Sequence, residues 1–87
     1  MNSIRQNIAE IDPELVLLDP AESYDKCILG IASRIGMDDC VAYDRSKVIA
    51  ELMNDGMTEE DAEDFFSFNI AGAYVGTRTP IFIDVLN

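Results

Sequence analysis

Two cysteines, two lysines and a surplus of carboxylates are the residues of this chain that could carry chemistry, and histidine is missing altogether. Cys27 and Cys40 stand thirteen positions apart, which is not the CxxC spacing of a redox or zinc motif, and no histidine is present to complete a metal site. Both sit among apolar neighbours, so free buried thiols packing as small hydrophobes are the first expectation. A disulfide would require strands that place the two opposite each other, in a compartment less reducing than the cytosol. A thiol or hydroxyl nucleophile needs a base. Only Lys26 and Lys47 could serve, and Lys47 reads as a helix-surface residue beside Glu51. Acid–base catalysis by carboxylates alone needs two acids in different environments inside a pocket, which a domain of 87 residues rarely shapes. The residues therefore predict no catalytic group, no cofactor and no enzyme.

Other motifs fall to the same scrutiny. Asn54-Asp55-Gly56 shares its Asp and Gly with part of a calcium loop, but the alternating acids and the trailing glutamate are missing; a helix C-terminus explains it more simply. Asp38-Asp39 suits a turn better than a ligand pair. Gly72-Ala73-Tyr74-Val75-Gly76 lacks the GK[ST] ending of a phosphate loop. No metal site is expected.

Charge is the strongest signal. Seventeen acids face six bases, for a net charge of −11. Such a chain repels nucleic acid and anionic membranes and favours approach to basic surfaces. The six bases are scattered, without a patch or interleaved aromatics. Solubility alone also explains acidity. The hydrophobic share of 48% suits a folded globular chain, and the length suits one domain over residues 1–87. The opening Met1-Asn2-Ser3-Ile4-Arg5 has no apolar run of the signal-peptide kind, and no segment approaches the ~20 apolar residues of a membrane helix. A cytoplasmic protein is expected.

Ser3 is placed to cap a short helix with the stripe Ile4, Ile8, Ile11, ending before Pro13. Leu15-Val16-Leu17-Leu18 should pack on the core, and Asp19-Pro20-Ala21-Glu22 has the look of a capping box with proline at the first helical position. Residues 26–35 fit either helix or strand. Gly30 weakens the helix, so a hairpin is expected, with a turn at Gly36-Met37-Asp38-Asp39 and a second strand at Cys40-Val41-Ala42-Tyr43. Asp44 should cap a helix reaching about Asn54, with Val48, Ile49, Leu52 and Met53 buried and Gly56 as its stop. Thr58 should cap the next helix, with Met57 and Ala62 as a small staple. Ala62, Phe66, Asn69 and Ala73 share its inner face, and Gly72 suggests a close backbone approach. Ile81-Phe82-Ile83 should be a last strand. The fold class is α+β: a small, mostly antiparallel sheet, a hairpin plus the C-terminal strand, packed against two central helices, with a helical N-terminus.

The second central helix holds the densest charge. Glu59, Glu60, Asp61, Glu63 and Asp64 are five acids in six positions. Those in the first turn complement the helix dipole, and the rest point to solvent on the helical wheel. Glu59, Glu60, Glu63 and Asp64, joined by Glu51 and Asp55, are the candidate partner-binding residues: spaced carboxylates that imitate phosphates and occupy a basic groove made for DNA or RNA. A well-capped, solvated helix face is the competing reading. Phe65, Phe66, Phe68 and Phe82 are core candidates, but three phenylalanines so close on one helix cannot all face inward. Phe68 or Tyr74, exposed, would anchor a partner or a dimer mate.

Val41-Ala42-Tyr43-Asp44, the run from Gly56-Met57-Thr58-Glu59-Glu60 through Phe66, the run from Phe68-Asn69-Ile70 through Gly76, and Thr79-Pro80 together resemble a family of short acidic proteins of phages, prophages and bacterial mobile elements. The resemblance covers about the last half of the chain, and weakly residues 28–34. It carries over no catalytic or binding residue. It implies a phage-type inhibitor of a host nucleic-acid-handling defence protein, anti-CRISPR-like, acting in the host cytoplasm as a nucleic-acid mimic. The alternative is a self-associating structural or regulatory module, possible as a homodimer, whose acidity serves solubility.

Overall fold

The computed structural model describes residues 3–73 and 76–86. Tyr74, one of the two anchors expected from the sequence, lies outside the described residues. Ser3 opens the first helix, α1 (Ile4–Ile11). Its hydroxyl accepts from the Gln6 N–H and the Gln6 side chain accepts from the Ser3 N–H, both at 3.1 Å, a reciprocal capping box. Of the expected stripe only Ile8 is buried, while Ile4 and Ile11 face water. Two turns of helix touch the core along a single line, so one residue carries the contact.

Residues 15–18 have no regular structure but lie on the core, with Leu15 buried and Leu17 and Leu18 packed against it. The next helix, α2 (Ala21–Tyr24), is one turn long and tightens into a 3-10 turn at Asp25–Cys27. Asp19 does not cap it. Pro20 takes the cap position with extended backbone and no side-chain bond, which leaves Asp19 one residue too far back, its carboxylate 3.3 Å from Arg5.

The hairpin forms from β1 (Ile28–Arg34) and β2 (Met37–Asp44), paired antiparallel. Its turn is Ile35-Gly36, shorter than expected: Gly36 sits at φ +81°, the left-handed conformation that a two-residue turn of this kind asks of its second residue. Met37, Asp38 and Asp39 are therefore strand. Cys40 pairs across the ladder with Ala32, and Cys27 lies before β1, so the two thiols are not opposed and both are free.

Asp44 ends β2 and caps α3 (Arg45–Asn54), accepting from the Lys47 N–H at 3.3 Å. Val48, Ile49 and Leu52 are its buried stripe, while Met53 turns outward at 41% exposure. Thr58 caps α4 (Glu59–Phe65), accepting from the Asp61 N–H at 3.1 Å. From Phe66 to Ala71 the helix widens into a π turn. The extra residue per turn shifts the register, so Ala62 and Phe66 are buried as expected but Asn69 and Ala73 are not; Ile70 takes the inward place.

The last strand, β3 (Ile81–Ile83), pairs with β2 in parallel, giving a mixed sheet of order β1-β2-β3 in which the antiparallel β1–β2 ladder is the longer. Residues 45–80, with both central helices, form the long crossover that a parallel neighbour requires. Ile28, Ile31, Val41, Tyr43 and Phe82 share the face covered by the helices. Phe82 stacks on Tyr43 at 5.9 Å and meets Phe66 edge-on at 4.8 Å.

Tyr43 is fully buried, and its hydroxyl accepts from the Leu18 N–H at 2.8 Å. Tyr43→Phe strips that N–H of its acceptor, with an expected cost of about 1–3 kcal/mol, read as a lower urea midpoint. Burial also holds the Tyr43 hydroxyl above its ordinary pKa of 10.0. A raised folded pKa gives stability that is whole below the unfolded value and lost as pH climbs through the folded one. Stability should therefore fall above pH 10.0 more steeply in the native chain than in Tyr43→Phe; identical alkaline limbs would refute this. Gly72 gives a second test. A Cβ there would stand 2.8 Å from the Ser67 carbonyl oxygen, so Gly72→Ala should cost about 1–3 kcal/mol by the same measurement.

Candidate partner-binding surface

Position on α4 follows from its two buried residues. Ala62 and Phe66 turn one side of the helix to the core, so Glu60, Asp61 and Asp64 are turned to water, and each is exposed. Glu59 and Asp55, at the helix start and in the preceding turn, are exposed as well. Phe65 is 38% exposed and Phe68, four residues beyond Asp64, is 79% exposed. The outward side of this segment thus passes from carboxylates to aromatic rings.

Cations divide the acids into two sets. Arg5 holds Asp19 and Asp25, Lys26 holds Glu51, Arg45 holds Glu63 and Asp84, and Arg78 holds Asp12 and Glu14. Four of the six bases thereby engage seven of the seventeen acids. The Arg45 guanidinium also lies over the Phe66 ring at 5.1 Å, which joins the start of α3 to the side of α4. Asp55, Glu59, Glu60, Asp61 and Asp64 have no cation partner among the described residues.

The sequence candidates separate accordingly. Glu59, Glu60, Asp64 and Asp55 form one exposed, unpaired group. Glu63 is tied to Arg45, and Glu51, its side chain only 13% exposed, is tied to Lys26 at 2.8 Å; neither is free for a partner. Asp61 belongs to the group in their place. Its backbone N–H donates to the Thr58 cap, which leaves its carboxylate free of that role. The signal was its position one turn before Phe65, outward on the wheel.

One cleft gathers the cysteine and lysines that could carry nucleophilic chemistry. A cleft of about 260 Å³ brings together Lys26, Cys27, Lys47 and Glu51. Burial, with Glu51 nearby, pushes the Cys27 thiol up, away from thiolate. The hydrogen bond to Glu51 pushes the Lys26 ammonium up, away from a free amine. Among the described residues no three of Cys, Asp and Glu gather closely enough to hold a metal ion, and no helix is long and apolar enough to cross a membrane. Comparison with protein-family models, curated proteins and solved structures returned no match.

The two sets of acids should answer differently to neutralisation. Glu60→Gln and Asp64→Asn should each leave stability within about 0.5 kcal/mol. Glu63→Gln loosens Arg45 from α4 and should cost about 0.5–1 kcal/mol, as befits a pair about a third exposed. Urea unfolding of the three variants checks the order.

Proposed function

We propose that this chain is an acidic binding protein that occupies a basic surface on a host nucleic-acid-handling protein, in the manner of a phage-type inhibitor of host defence, with spaced carboxylates standing in for phosphates. The observation that carries this reading is the run of exposed carboxylates at Asp55, Glu59, Glu60, Asp61 and Asp64, which have no cation partner among the described residues. Internal ion pairs satisfy a large part of the protein's positive charge, so the field outside α4 is uncompensated and reaches a partner about a Debye length away. Phe68 adds an apolar ring beside the acids, of the kind that anchors an interface. The resemblance to short acidic phage proteins supports the same class of partner.

The test combines salt with charge reversal. The tagged chain is used to capture proteins from bacterial lysate, with low-salt and high-salt washes, and competing duplex DNA is added to the bound fraction. A nucleic-acid-handling protein should be retained at low salt, released at high salt and displaced by DNA. The triple variant Glu60→Lys, Asp61→Lys, Asp64→Lys should bind at least about a hundredfold more weakly, since each exposed ion pair contributes roughly 0.2–1 kcal/mol and reversal adds repulsion. Undiminished capture by that variant, with its fold intact by circular dichroism, would sink the proposal.

A further inference from the structure

Several apolar side chains that the core covers only in part meet in one place. A cleft of about 340 Å³ lies between residues 16–19, the end of α4 with its π turn, and β3. Leu17, Leu18, Ile70 and Phe82 pack against the core and also line this cleft, and Phe65, 38% exposed, lines it too. Its polar members are Asp19, Tyr24 and Asn69. Among the described residues no lysine or arginine lines it, though Arg5 reaches the Asp19 carboxylate from α1 at 3.3 Å. The Asp19 side chain nevertheless stays 82% exposed. The volume is near the lower end of the roughly 300–1,000 Å³ of ligand clefts, which suits one large side chain better than a cofactor.

We propose, resting on the reading of α4 as an acidic docking surface, that this cleft receives an aromatic side chain of the partner, whose basic surface is one built for single-stranded nucleic acid. Position joins the acids to the cleft. α4 is regular from Glu59 to Phe65, so Asp61 stands one turn before Phe65 on the same line of the helix, and Asp64 is the residue beside it. Asp19 adds a carboxylate on the wall made by residues 16–19. A side chain that buries itself against Leu17, Phe65 and Phe82 is apolar, and one that does so among these acids has cations for neighbours. Surfaces that bind single strands combine both properties: cations that track the backbone, and exposed rings on which bases stack. Duplex keeps its bases stacked inside, and its phosphates ask only for cations. A single strand shows phosphates and unstacked rings side by side, and α4 shows Asp61 and Asp64 beside the exposed rings of Phe65 and Phe68.

Salt separates the two parts of such a contact. Attraction between exposed charges is screened, whereas the burial of an apolar ring does not depend on that screening. The ring's share of the affinity therefore persists at salt concentrations that remove the share of its cationic neighbours.

Two synthetic peptides of equal charge test this on the full chain: a short lysine peptide with tryptophan at its centre, and the same peptide with alanine there. The chain has no tryptophan, so the emission is the peptide's alone. The tryptophan peptide should bind about tenfold more tightly, its emission moving to the blue as the ring leaves water, and the ratio should hold from low to high salt. The backbone amide resonances of Leu17, Asn69 and Ile70 should shift with the tryptophan peptide and stay in place with the alanine one. Phe65→Ala should bring the ratio close to one while circular dichroism shows the fold retained. Asn69→Phe, which fills the cleft with the chain's own ring, should do the same without removing a wall. Equal affinity for the two peptides would overturn the proposal yet leave the acidic-surface reading standing, provided that Glu60→Lys, Asp61→Lys, Asp64→Lys together abolish both. Failure of both peptides to bind would overturn the two readings alike. A tryptophan preference untouched by Phe65→Ala and Asn69→Phe would put the ring elsewhere and overturn the proposal as well.

Discussion

Leu18 lies in a stretch with no ladder of its own, so its peptide groups must find partners elsewhere. Its N–H donates to the Tyr43 hydroxyl and its carbonyl accepts from Arg5, each at 2.8 Å. Arg5 in turn grips Asp25 through two nitrogens, at 2.9–3.2 Å. This one relay fastens α1, residues 15–18, the turn after α2 and the central strand to one another. Without it the apolar side chains of Leu15, Leu17 and Leu18 would still favour the core, but their backbone would be brought there without hydrogen bonds, a cost of the same order as the burial gain. Tyr43 serves both sides of the balance, its ring packed against Phe82 and its hydroxyl held by the backbone.

The remaining cations act in the same way, as clamps between segments far apart in sequence. Arg78 reaches Asp12 at 2.7 Å and holds the loop before β3 to the end of α1. Arg45 joins α3, α4 and the residue after β3 through Glu63, the Phe66 ring and Asp84. Lys26 ties the turn after α2 to α3 through Glu51. Positive charge is scarce and is largely used inside the fold. Arg34 and Lys47 apart, what is left outside is anionic: Asp55, Glu59, Glu60, Asp61 and Asp64 stand close together, and Glu10, Glu22, Asp38 and Asp39 lie elsewhere.

Local signals were legible and long-range ones were not. Ser3, Asp44 and Thr58 announced three helix starts because an N-cap acts within three residues. Val48, Ile49 and Leu52 announced their stripe because periodicity is local. The close approach at Gly72 was legible for the same reason. The parallel pairing of β3 could not be read, since Ile81-Phe82-Ile83 alternates identically in either direction. Nor could the π turn, which has no residue signature in Phe66–Ala71 and displaces Asn69 and Ala73 from the face that a regular helix assigns them. In the candidate site, Glu60 and Asp64 were correctly turned outward by wheel geometry. Glu51 and Glu63 were misplaced because their partners, Lys26 and Arg45, lie 25 and 18 residues away, beyond any local rule.

Stability explains some of the acids on α4 and leaves others unexplained. Glu59, Glu60 and Asp61 stand in the first turn, where the helix dipole favours a negative charge by about 0.3–1 kcal/mol each. Glu63 is answered by Arg45. Asp64 has neither benefit. It lies beyond the first turn, no cation among the described residues reaches it, and it sits four residues from Glu60, a like-charge spacing that costs roughly 0.2–0.5 kcal/mol in a helix. Folding alone would favour a neutral or basic residue at that position. On the proposed reading, attraction to a basic partner would offset the small cost of this carboxylate, four residues from the exposed ring of Phe68.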